Sequence, residues 1–118
     1  MDAQFAKVRI QGIVASGPEL RYQTSGVPVT SMTVSVKREA KTPSGWTTDF
    51  LDVVVIGDDD HEHAENAACF EQGQLVCIEG HLVTQRWDSW QGRQRVQKQR
   101  MAVKAVSIEH CECVPHGN

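Results

Sequence analysis

Four aromatic side chains and a scatter of cations carry most of the usable chemistry in this chain of 118 residues. Trp46, Phe50, Trp87 and Trp90 offer flat apolar faces. Lys37, Arg38 and Lys41 precede the first pair, while Arg86, Arg93, Arg95, Lys98 and Arg100 surround the second. A flat ring stacks on any unpaired base, at about 1–3 kcal/mol per base, and a cation follows the phosphates; neither depends on base identity. Rings interleaved with cations therefore suit a single strand held without regard to its sequence. Each residue also has an ordinary use. Trp87 is able to pack on another subunit and Phe50 in a core, Trp90 to stand as a plain loop aromatic, and any solvated strand face needs charges.

Two other clusters bear on metals. His61 and His63 follow Asp58, Asp59 and Asp60, and His110, Cys111, Cys113 and His116 crowd the end of the chain. Structural zinc sites place two to four residues between their paired cysteines; Cys111 and Cys113 have one between them, and the first cluster has no cysteine. No metal or other cofactor is expected. No nucleophile with its base and orienting partner is visible, and no glycine-rich phosphate loop. Asp49 and Asp52 lie three apart on a predicted strand and face opposite sides, which spoils them as paired carboxylates. The sequence predicts a binding protein and not an enzyme.

The totals narrow the class further. A net charge of -3 argues against strong salt-driven binding of duplex DNA, which needs clustered Lys and Arg. The signs are segregated instead: acidic residues are dense from Asp58 to Glu65, basic ones from Arg86 to Lys104. No apolar run approaches the ~20 residues that span a bilayer, so no membrane partner is expected. The opening Met1 to Gly12 lacks the pattern of a signal peptide, which predicts a cytoplasmic location. Cys69, Cys77, Cys111 and Cys113 do not resemble a secreted disulfide framework and are read as reduced thiols.

Period-two alternation dominates the elements that must position these residues. Lys7 to Gln11 alternates, Gly12 and Gly17-Pro18 mark bends, and Glu19 to Tyr22 follows as a short run. Val29 to Arg38 is a second strand, residues 39 to 47 a loop, and Asp49 to Gly57 a third strand. Residues 63 to 70 are good helix formers, preceded by aspartates that suit a helix N-terminus and followed by Gly73 as terminator. Gln74 to Trp87 is a fourth strand with a bulge or bend at Gly80, Asp88 to Gly92 a turn, and Arg93 to Ile108 a fifth strand. Lys98, Arg100 and Lys104 share one parity on that strand, Arg93 and Arg95 the other, and Arg86 points away from Trp87. Five strands with one α-helix between the third and fourth predict an all-β protein, an OB-fold Greek-key barrel. Its domain is expected over 1–109, with 110–118 a loose tail.

Seven runs in this order resemble the bacterial single-stranded DNA-binding protein (SSB) family: Lys7 to Gly12, Pro18 to Tyr22, Ser25 to Val29, Asp52 to Gly57, Ala64 to Ala68, Gly73 to Gly80 and Gln85 to Trp87. The resemblance covers roughly residues 6 to 108. It implies a homotetramer wrapped by single-stranded DNA, serving replication, recombination or repair together with other proteins of those processes. Trp87 matches a family stacking tryptophan and Phe50 falls where another is usual. Ile56 stands in place of a stacking phenylalanine and Ala40 in place of a tryptophan, for which Trp46 is a candidate substitute. Asp58 to His63 is longer and more acidic than the family's usual segment, and Gln72 replaces a common lysine. The family's long linker and acidic, phenylalanine-ended tip are not seen, as in a short member of plasmid, phage or mobile-element type, or a trimmed one. Two rivals share the barrel: a primosomal, PriB-like dimer that bridges replication proteins, and an interaction module whose acidic segment holds a partner while DNA binding has lapsed.

Overall fold

The computed structural model describes residues 6–40, 43 and 45–111. Lys41 and the cluster beyond Cys111 fall outside the described residues. The elements are β1 (Lys7–Tyr22), β2 (Pro28–Glu39), β3 (Trp46–Ile56), α1 (His61–Ala67), β4 (Leu75–Gln91) and β5 (Gln94–His110). The strands close a barrel in the order β1-β2-β3-β5-β4, the five-stranded OB-fold topology expected from the strand order. Every ladder is antiparallel except the short seam of β3 with β5 at Val53 and Val54.

Alternation builds the core. Val14, Val34, Val53, Val55, Val76 and Ile78 point inward and are fully buried, and Ala64 and Ala67 of α1 plug one end of the barrel. Asp60 caps α1 by accepting from the Glu62 N–H at 3.0 Å, which starts the helix two residues earlier than its composition suggested. It also ends earlier. Phe70 turns back onto the core, and Gly73, at φ 96°, ends the following turn and donates to the Val14 carbonyl at 2.8 Å.

Buried Thr30 ties β2 to this helix: its hydroxyl donates to the Ala64 carbonyl at 2.5 Å. That carbonyl also accepts from the Ala68 N–H at 3.1 Å, so it keeps one partner if the hydroxyl is lost. Thr30→Val preserves shape and is expected to cost about 1 kcal/mol, the net worth of one hydrogen bond, in urea unfolding.

The short run Glu19 to Tyr22 beyond Gly17-Pro18 belongs to the first strand, and two expectations about strand limits need correction. Register shifts between Val14 and Ser16 and between Ser16 and Glu19 absorb the extra residues, so β1 bends and pairs with both β4 and β2. Trp46 is not in a loop: it opens β3, paired with Glu39. Asp88 to Gln91 are not a turn but continue β4, paired with Gln97 to Gln94, and the turn is Gly92-Arg93. Gly92, at φ 64°, supplies the backbone that a two-residue hairpin turn requires. At Gly80 the expected irregularity is present, with a register shift after Glu79. A Cβ there would sit 2.2 Å from the Lys104 carbonyl oxygen, so only glycine lets the two strands approach.

The cysteines also depart from expectation. Cys77 and Cys111 are joined in a disulfide, so these two are not reduced thiols. Sequence spacing cannot show this pairing, because only the β4–β5 register brings residues 34 apart to a Cα separation of 5.6 Å.

Candidate nucleic-acid interface

The outward parity of β2 and β3 follows from the inward one. Val34 and Val53 are buried, so Lys37, Trp46 and Phe50, each of the opposite parity, face out. The Lys37 ammonium lies 5.4 Å from the centre of the Trp46 ring. Phe50 is 67% exposed, far too open for a core residue. The parallel seam continues this surface onto β5, where Lys98 and Arg100 share the outward parity of Lys104. The Arg100 guanidinium lies 5.9 Å from the centre of the Trp87 ring and 3.5 Å from the Asp52 carboxylate on β3. Trp87 stands directly across from Lys98. Lys37, Trp46, Phe50, Trp87, Lys98 and Arg100 thus share one outer face, with both kinds of group that a sequence-tolerant grip on a single strand needs.

Other expected residues lie elsewhere. Arg38 has the inward parity and ion-pairs with Asp49 at 2.6 Å on the opposite side of the β2–β3 ribbon. Arg86, opposite Gln99, and Arg95, opposite Trp90, lie on the far side of the β4–β5 hairpin from Trp87. Arg95 is also ion-paired with Asp88. Arg93 belongs to the hairpin turn and not to a strand stripe. Lys104 has the outward parity but lies 3.6 Å from Asp58, so the acidic segment draws its charge away from Arg100.

Two carboxylates were missed. Asp52 pairs with Arg100, and Glu39 lies opposite Trp46 on the same face. Three cations against two carboxylates leave that face only weakly positive. No sequence signal links Asp52 to Arg100, because their meeting depends on the parallel crossing of β3 and β5.

At the acidic segment, desolvation pushes the Asp58 carboxyl upward, but the Asp59 N–H at 3.1 Å and the nearby Lys104 charge outweigh it and hold the carboxyl below its ordinary value. His63 turns the other way, its Nε2 lying 3.3 Å from the Ala105 carbonyl oxygen. Among the described residues no three His, Cys, Asp or Glu side chains converge as metal ligands.

A closed OB barrel with rings and cations gathered on one outer face defines a nucleic-acid-binding module. The profile of the single-strand binding protein family matches residues 5–110, and the chain belongs to that family of non-enzymatic DNA-binding proteins. It is 34% identical over 102 residues to the single-stranded DNA-binding protein of Thermotoga maritima, covering 83% of this chain and 70% of the relative. It is 32% identical over 105 residues to single-stranded DNA-binding protein A of Bacillus subtilis, covering 87% of this chain. The chain spans only 55% of that relative's length, and 60% of a similar protein from Halalkalibacterium halodurans. Among solved structures, the fold resembles the small single-stranded DNA-binding protein from Streptomyces coelicolor, with a TM-score of 0.65, 22% identity, and 92% and 96% of the two chains covered. It also resembles a deletion mutant of the Thermus aquaticus protein, with a TM-score of 0.70, 23% identity, and 92% and 51% covered.

Proposed function

We propose that this protein binds single-stranded DNA without sequence preference, through base stacking on Trp87, Phe50 and Trp46 and phosphate contacts from Lys37, Lys98 and Arg100. The observation that carries this reading is the convergence of all six on one outer face, from strands distant in the sequence. Trp46 supplies the platform that Ala40 cannot, and the Lys37 ammonium beside its ring adds a charge to it. Arg38, Arg86, Arg93, Arg95 and Trp90 lie off this face and Lys41 outside the described residues, so none of them carries the reading. Family membership supports protection of single strands during replication, recombination or repair, in the bacterial cytoplasm where the nucleoid lies. It also supports a homo-oligomer, a tetramer before a dimer, and exposed Ile13 on β1 and Val106 on β5 give such an assembly apolar surface to cover.

The weak net charge of the face sets the test. Titration with poly-dT is expected to quench tryptophan fluorescence at moderate salt. The logarithm of the binding constant should then fall against that of salt with a slope of about -2, the value for three phosphates neutralised on a single strand. Absence of quenching at micromolar protein would overturn the reading and favour the lapsed interaction module. Light scattering separates tetramer from dimer.

A further inference from the structure

Beyond the seam with β3, the β4–β5 hairpin leaves the barrel as a two-stranded ribbon with both broad faces open. Its front carries Trp87, Lys98 and Arg100. Its back carries Arg86, Asp88 and Trp90 on β4, and Arg95, Gln97, Gln99 and Met101 on β5, all exposed. Trp90 is 69% exposed, more than any other described large apolar side chain. It stands on a regular strand position opposite Arg95, whose ion pair with Asp88 braces the same face. A tryptophan held open on a strand is a fixed platform, unlike one on a loose turn. Arg86 lies two alternations away on that face, and Arg93 projects at the tip, where open space surrounds Gly92.

We infer that the back of this hairpin is a second contact surface for the same single strand, with Trp90 as its stacking platform and Arg86 and Arg93 as its phosphate contacts. The inference rests on the proposed function, since the strand that reaches the back is the one already seated on the front. The occupant follows from the chemistry of the surface: one open ring, and two cations beyond the braced Arg95–Asp88 pair, the two kinds of group that a single strand offers partners for. A strand confined to the front does not meet Trp90. A longer one crosses the ribbon and does.

Length dependence is therefore the test. Oligothymidylates of about 8 and about 32 nucleotides, one inside the site of about 4–16 nucleotides that a single OB fold covers and one well beyond it, would be titrated by fluorescence anisotropy into the wild type, Trp90→Ala and Trp87→Ala. Trp90→Ala should leave the short oligomer within about twofold and weaken the long one by about 5- to 140-fold, the loss of one stacked base. Trp87→Ala should weaken both. Crosslinking of a bromodeoxyuridine-substituted long strand should mark Trp90 in the unmutated protein. A Trp90→Ala variant that binds the long oligomer as tightly as the wild type does, or that changes its light scattering with DNA binding intact, overturns the inference and assigns Trp90 to a protein contact. Loss of binding by the wild type to both lengths overturns the proposed function instead.

Discussion

Alanine at both Trp87 and Phe50 is expected to weaken poly-dT binding by about 2–6 kcal/mol, the loss of two stacked bases at about 1–3 kcal/mol each. At 1.4 kcal/mol per tenfold, that is a factor of roughly 30 to 20,000. Phe50 is 67% exposed, so its truncation removes little packing; Trp87, at 43%, is more than half covered, so thermal melting of the variant is read beside its binding. The two rings lie on different strands and, on the proposed reading, would each meet a different base, so their effects should nearly add. Trp87→Ala has one extra consequence, since the Arg100 guanidinium loses the ring beneath it and keeps only Asp52. Lys98→Ala is the contrasting variant. It should flatten the salt slope by about 0.7, one phosphate on a single strand, with a smaller loss of affinity. If the double variant loses less than about threefold while still folded, stacking on this face is not what holds the strand.

The barrel was legible because half-buried strands write their period into the sequence. Met32, Val34 and Val36 alternate with polar residues, and the buried parity falls on them as expected. Gly80 was legible for the same reason, as a break in an otherwise regular run. The sidedness of the site was less so. Lys37 and Arg38 look alike in sequence, yet one adjoins Trp46 and the other pairs with Asp49 on the reverse of the ribbon. Parity predicted that Arg86 and Trp87 part company, but the outward sense of either required the buried set to be known. The hairpin was misread because Asp88 and Ser89 have turn chemistry. They lie in a strand all the same, because the ladder to Gln94 to Gln97 fixes them and the ribbon has no core side to demand apolar residues.

The disulfide is the feature least visible in the sequence, and it carries the second large prediction. Reduction, or Cys77→Ser, is expected to lower the unfolding free energy by about 3–4 kcal/mol, the chain-entropy value for a loop of 34 residues. For a domain of this size the midpoint should fall by roughly 10–15 °C. The native state should survive, because the staple duplicates contacts that stand without it. Val76 pairs with His110, Cys77 with Glu109, and the Cys111 N–H donates to the Leu75 carbonyl at 2.9 Å. What changes is the unfolded chain, which regains the freedom of a 34-residue loop. Melting with and without dithiothreitol checks this. The wild type should fall to the level of Cys77→Ser, and Cys77→Ser should not respond to reductant. Cys69→Ser, at an exposed thiol outside the disulfide, should melt like the wild type and keep its response. A wild type indifferent to reductant would mean the two sulfurs stay thiols in solution. Because the staple joins β4 to the end of β5 and not to the stacking face, reduction should leave affinity for single strands at low temperature unchanged. Its cost would then appear only on warming, as a loss of folded protein.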